Sequence, residues 1–272
     1  MNWRTALAVC GRDLRDAARN RGALVPAVAV PVVLAVLLPL LIVYLPALTR
    51  IPLTTFNWVE IFYRHIPPGV RERLGGLGPE ATEFYALAVY FFAPLFLLIP
   101  AAASTVAAAD SFAGEKERRT LEALYYTPAS DAELLWGKTL AALVPGLGAA
   151  WFAILAYTGV INAVGWTRYG LLPLPNLAWV LMAGLLLPAA AVFSVALTVV
   201  VSAKARTSRG AQQVAGVVVL PAVALLVMQS FGVVYLGWGL VLGLAAVFSG
   251  LAWLLLALAA RTFRRENAVL YS

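Results

Sequence analysis

The chain has 272 residues, 62% of them hydrophobic and only 12% charged, with a net charge of +7. A soluble domain holds about 45–50% apolar and about 25% charged residues, so an ordinary water-soluble fold is excluded and the lipid phase is indicated. One cysteine, Cys10, excludes an intrachain disulfide, and the single histidine, His65, leaves no His-rich metal site.

In chain order, Trp3, Leu7, Cys10, Leu14 and Ala18 recur at helical spacing, while Arg4, Arg12, Asp13, Arg15, Asp16, Arg19 and Arg21 cover most of the remainder. Residues 1–21 therefore read as a basic amphipathic helix in the headgroup plane. It is either a simple anchor or an anchor that also contacts a cytoplasmic partner.

Six apolar blocks follow: Leu24–Leu45, Tyr85–Ala108, Gly137–Ile161, Trp179–Val201, Val214–Val234 and Gly237–Ala259. Each approaches or exceeds the ~20 residues that cross the hydrocarbon. They contain no Asp, Glu or Arg, and their one Lys is Lys138, at an edge. A membrane β-barrel would alternate apolar and polar residues over roughly 10-residue segments; these blocks are solidly apolar, so helices are predicted. The first is too long for the apolar core of a signal peptide. Prolines punctuate the first five, among them Pro26, Pro31, Pro39, Pro46, Pro94, Pro100, Pro145, Pro188 and Pro221, and predict bent helices.

Thr49–Glu83 is the longest connection, and its Phe56, Trp58, Ile61, Phe62 and Tyr63 suit a short interfacial helix. Gln229–Trp238, without a charge, reads as a tight hairpin or a re-entrant element. Of the 20 Lys and Arg, all but Arg50, Arg64, Arg71, Arg73 and Arg168 fall on one side of the predicted topology, together with both termini. The positive-inside rule makes that side cytoplasmic. Topology and anionic lipid account for the basic excess, and no recognition motif points to nucleic acid.

The most patterned stretch is Asp110–Lys138, on the cytoplasmic side. A charged run from Glu115 to Arg119 opens a helix-capable segment with Leu121, Leu124 and Tyr125 on one side, and Thr127-Pro128 breaks it. Ser130 with Glu133 three residues later reads as a capping box that starts a second helix. Two short helices meeting at a proline turn could dock in a groove of a soluble partner. Pairs such as Glu115–Arg119 could equally hold a merely solvated helix.

This stretch resembles the signature region of ABC-2 type transporter permeases. Members typically carry Glu-Lys-Glu-Arg, then glycine or another small step, then Thr-Leu-Glu, a proline turn and a helical run ending in Gly-Lys. Here those positions are Glu115, Lys116, Glu117, Arg118, Arg119, Thr120, Leu121 and Glu122, then Thr127-Pro128, then Gly137-Lys138, with Arg119 where glycine is common. The resemblance implies a single all-α transmembrane domain over 1–272, with six transmembrane helices, an N-terminal amphipathic interfacial helix and a cytoplasmic coupling helix within 110–136. It implies a bacterial or archaeal inner membrane, a separate ATPase (nucleotide-binding) subunit, and two copies of each chain as a homodimer. Glu115, Lys116, Glu117, Arg118, Arg119 and Glu122 would be polar contacts to the ATPase, and Leu121 and Leu124 its anchors.

Gly137-Lys138-Thr139 is not a phosphate loop, because the glycine that motif requires five residues earlier is Ala132. No catalytic residues are expected, and ATP and Mg would be bound by the partner. The spans offer Ser104, Thr105, Ser194 and Thr198, either as a substrate pathway or as helix-packing residues. A lining this apolar suits an amphipathic or lipid-like cargo moved outward. Sodium efflux, or a stand-alone carrier or scaffold, are the alternatives.

Overall fold

The computed structural model describes residues 2–19, 28–49, 68–76, 78–119, 128–205, 207–231 and 233–262. Among these the chain is helical and contains no strand. We number the helices α1 (Trp3–Arg19), α2 (28–49), α3 (Pro68–Gly75), α4 (Pro79–Glu117), α5 (Asp131–Tyr169), α6 (Leu177–Lys204), α7 (Ser208–Ser230) and α8 (Trp238–Thr262).

Five of them, α4 to α8, are long and apolar enough to cross a membrane. They correspond to the second to sixth predicted blocks. The first block becomes α2, whose apolar stretch is described over the shorter range Val28–Ile42. The aromatic residues expected to form an interfacial helix at 56–63 lie outside the described residues, as do Pro26 and Leu121, Glu122 and Leu124.

α4 is the core of the bundle: 72% of its apolar window is buried, against 28% for α7 and 22% for α8. It packs along α5 and α6, with α7 against its outer flank; α8 lies along α6, and α2 along α5. A lipid-facing helix leaves apolar side chains exposed without cost, because lipid tails are as apolar as leucine. Trp253, Val247 and Leu254 on α8, and Val217, Leu220 and Val223 on α7, are exposed in this way.

α5 is one 39-residue helix, about 58 Å long at 1.5 Å per residue. Its half-exposed Trp136 and exposed Trp166 sit about 45 Å apart along the axis. That separation matches the roughly 40–45 Å of a bilayer with its headgroups, where tryptophan concentrates. The helix starts at the predicted capping box: Glu133 N–H donates to Ser130 Oγ (3.3 Å) and Ser130 N–H to Glu133 Oε2 (3.0 Å). It ends at Gly170, whose φ of 66° is left-handed and therefore suits glycine.

Two expectations are corrected here. The run from Ser130 is not a separate short helix, because nothing interrupts α5 between Asp131 and Tyr169. Likewise Glu115–Glu117 is the last turn of α4, reached through a wide π turn at Asp110–Gly114, rather than the opening of a new helix. Within the predicted join Gln229–Trp238, α7 stops at Ser230, α8 starts at Trp238, and the described residues between them are non-helical; Tyr235 and Leu236 tuck against the bundle, with Tyr235 on Tyr90 at 4.6 Å.

Four of the prolines sit just after a change of helical pitch, whereas Pro145 lies inside the unbroken α5. π turns at Val33–Leu37, Leu87–Phe91 and Met182–Leu186 precede Pro39, Pro94 and Pro188, and a 3-10 turn at Gly216–Val219 precedes Pro221. Proline cannot donate a backbone hydrogen bond and crowds the carbonyl four residues back; widening or tightening the turn moves that carbonyl aside. In lipid the freed carbonyls need other donors. In α4 the carbonyls of Ala88, Val89 and Tyr90 accept from Tyr157 Oη (2.8 Å), Trp179 Nε1 (2.8 Å) and Gln229 Nε2 (3.2 Å), one donor each from α5, α6 and α7. In α6 the Ala183 carbonyl accepts from Trp151 Nε1 (2.9 Å).

Candidate functional site at the α1 end of the bundle

Charged residues of α1, α4 and α5 meet at one place. α1 lies across the start of α5, where Gly137 leaves room for it: a Cβ there would stand 2.7 Å from the Ala6 carbonyl and 2.8 Å from Val9 Cβ. The seated face of α1 is Ala6, Cys10 and Asp13, all buried, while Trp3 and Leu7 of the predicted apolar stripe stay exposed.

Next to Gly137, Lys138 is completely buried. Its Nζ is 2.7 Å from Glu115 Oε2 and 3.3 Å from Asp13 Oδ2, and it donates to the Ser111 carbonyl at 2.9 Å. Ser111 Oγ donates to Asp13 Oδ2 (2.7 Å). Arg12 Nη2 reaches the other oxygen of Glu115 at 2.8 Å. The Phe112 ring lies under the Lys138 ammonium, 5.6 Å from it. Two carboxylates and two cations thus balance at the junction of α1, α4 and α5, and pairing makes the burial of Asp13, Glu115 and Lys138 tolerable, with the partly exposed Arg12 at the edge. A small cleft beside the cluster is lined in part by Asp13, Asp16, Asp110, Glu115 and Arg118.

The charged run of α4 is bonded inward. Glu115 joins the cluster; Lys116 Nζ donates to the Ala203 carbonyl at the end of α6 (3.4 Å); Glu117 Oε2 accepts from the Ser208 N–H at the start of α7 (3.0 Å). Arg118 turns back to Asp110 (3.0 Å), crossing Gly114, where a Cβ would stand 2.7 Å from Asp110 Oδ1. Glu115 is buried, Lys116 half-buried, and Glu117, Arg118 and Arg119 are exposed. Arg119 has a φ of 56°, the left-handed region that favours glycine. That explains physically why a glycine suits this position.

Ser104, Thr105, Ser194 and Thr198 are all buried between helices. Ser194 donates to the Ala190 carbonyl (2.6 Å) and Thr198 to the Ser194 carbonyl (2.7 Å), bonds internal to α6. Ser104 fills the space over Gly146 of α5. These positions lie at helix contacts.

Sequence reasoning passed over Asp13 and Ser111. The signal was present: an acidic residue sits on the seated side of α1, and Lys138 is the one cation in an apolar block. Glu83, assigned to a loop in the sequence, is buried inside α4 with Oε1 lacking a hydrogen-bond partner among the described residues.

A bundle with five apolar helices long enough to cross a membrane is that of a multi-pass membrane protein. The chain belongs to the ABC-2 transporter family: the model described as "ABC-2 family transporter protein" matches residues 7–243. The match spans α1, the charged base and every apolar helix through the start of α8. Members of this family work with ATP-binding subunits. No curated protein matches the chain.

Proposed function

We propose that this chain is the membrane half of an ATP-driven exporter. Two copies form the permease, and each binds a separate ATPase subunit that holds ATP and Mg. The coupling element lies within 110–136, around the connection between α4 and α5; it faces the cytoplasm of a bacterial or archaeal cell, as do both termini. The first apolar block, Leu24–Leu45, is the first of six spans, and the chain is one transmembrane domain without a catalytic site of its own.

The observation that carries this reading is the family match over a segment whose ends are both tied to one buried charge cluster. Such a segment moves its base when a partner moves it. Exposed Arg119, with Leu121, Glu122 and Leu124, are the proposed contacts to the ATPase. Glu117 and Arg118 are exposed beside them, whereas Glu115 serves the base.

The cargo is apolar or amphipathic. The support for this cargo is the solidly apolar character of the five helices long enough to cross a membrane. Reconstitution of the permease with its ATPase in lipid vesicles tests both points. Hydrophobic compounds should stimulate ATP hydrolysis. Stimulation by sodium alone would replace this cargo with the sodium-efflux alternative, and absence of any ATPase from the purified complex would favour a stand-alone carrier.

A further inference from the structure

We propose that Glu115–Arg118 is an internal hub, fastened to Lys138 as its buried post, and that it distributes movement of the α4–α5 connection to α1, α5, α6 and α7 together. The inference rests on the reading that an ATPase moves this connection.

Successive residues on a helix point about 100° apart. Charges meant for one groove on a partner would therefore recur at three- and four-residue spacing. This run is consecutive, so its side chains fan out around the helix end, and each reaches a different part of the same chain. Glu115 reaches α5 through Lys138 and α1 through Arg12; Lys116 reaches the end of α6; Glu117 reaches the start of α7; Arg118 closes back on α4.

The Glu115–Lys138 pair has a second consequence. These residues bracket the connection, so their contact clasps its two ends, and residues 119–130 become a handle on a closed base. The cluster also holds α1. Asp13 pairs with Lys138 and accepts from Ser111, while Gly137 seats the α1 backbone. A push on the handle cannot move α4 without α5 and α1. Lys138 and Glu115 are thus positioning residues that act within the permease, rather than contacts to the ATPase.

The test uses the permease–ATPase complex in anionic lipid vesicles and three variants. K138M removes the post. The set D13N/E115Q/K138M removes all three buried charges and leaves no orphaned carboxylate. K138R keeps the charge. ATPase co-purification, transport of a fluorescent amphipathic dye per ATP hydrolysed, and the rate at which maleimide labels Cys10 on the seated face of α1 are measured.

The neutral set should retain the ATPase, yet lose ~10-fold or more in transport per ATP, within the range of ordinary coupling free energies. K138M should label Cys10 ~10-fold faster than wild type, as expected when a locally stabilised element opens. K138R should restore part of both. A neutral set that keeps its ATPase and transports like wild type overturns the hub alone. Loss of the ATPase from the neutral set, with transport per ATP unchanged in whatever complex remains, returns Glu115 to the partner interface and also overturns it. If the wild-type chain retains no ATPase, the functional reading itself fails.

Discussion

At the residue scale, Lys138 concentrates the argument. It has no exposed surface, and two carboxylates depend on it. Breaking a buried pair by removing one partner typically costs about 3–5 kcal/mol, because the other charge is left uncompensated. K138M should lower the thermal unfolding midpoint in detergent accordingly, and the neutral set should recover most of that loss. Cys10 reports on the same junction. Its thiol is pushed up from the ordinary value, first by burial and then by the nearby Asp13 charge. Since the thiolate is the reactive form, labelling should stay slow at neutral pH and rise only at a more alkaline pH than for an exposed cysteine. Arg119 allows a third check. Its left-handed φ costs roughly 1 kcal/mol for a residue with a Cβ, partly offset by the entropy glycine loses on folding. R119G should therefore fold at least as well as wild type, whereas R119V, branched at Cβ, should be less stable.

The same residues show how far the sequence could be read. The Glu-Lys-Glu-Arg run was visible, as was its kinship with a permease signature. Its direction was not. Linear spacing places charges on a helix, but which of them turn inward depends on what packs there, and Lys138 arrives from a helix beyond the connection. Arg119 could be noted as a departure from glycine, yet only the backbone angle gives the reason.

At the scale of elements, apolar runs marked where five membrane-capable helices lie, because the hydrocarbon demands unbroken apolar segments. α4 and α5 continue past their blocks into charged ends that a hydropathy reading trims, whereas α7 stops at Ser230, short of the block's end at Val234. The prolines announced bends but not their form. What stabilises the wide turn in α4 is a set of donors on three other helices, and no local pattern reveals them. Trp179→Phe should leave the Val89 carbonyl without its donor and cost ~1 kcal/mol, typical of a hydrogen bond between membrane helices; Tyr157→Phe should act similarly on Ala88. Unfolding in mixed micelles measures both. At the start of α5, Ser130→Ala removes one half of the capping box and should cost about 1 kcal/mol. Glu133 is held below the usual carboxylate range, chiefly by the backbone N–H of Asn2 and then by that of Ser130. The stability it contributes is present above the unfolded pKa and is lost as pH falls through the depressed folded value. The attachment of α1 to α5 should therefore weaken on acidification, read as loss of hydrogen-exchange protection of the α1 amides at acid pH relative to the intrinsic rate.

At the scale of the whole molecule, burial grades from α4 at the centre to α8 at the rim. Polar substitutions should be tolerated least in α4, and apolar exchanges on the outward faces of α7 and α8 should leave stability nearly unchanged. The charged base and the apolar bundle are continuous through α4 and α5, so movement at the base reaches the core without a hinge domain between them. What the sequence determined by itself is the class: an all-helical membrane protein, the approximate positions of its apolar helices, and membership of a permease family. Composition and run length suffice for that, because a bilayer imposes its thickness and dryness on every spanning segment alike. What only the tertiary structure decided is the use made of the polar residues. Asp13, Glu115 and Lys138 are far apart in the chain and form one balanced cluster, while Ser194 and Thr198 bond to their own helix. A buried charge or donor is stabilised by its spatial partner, and that partner is chosen by packing, not by proximity along the chain.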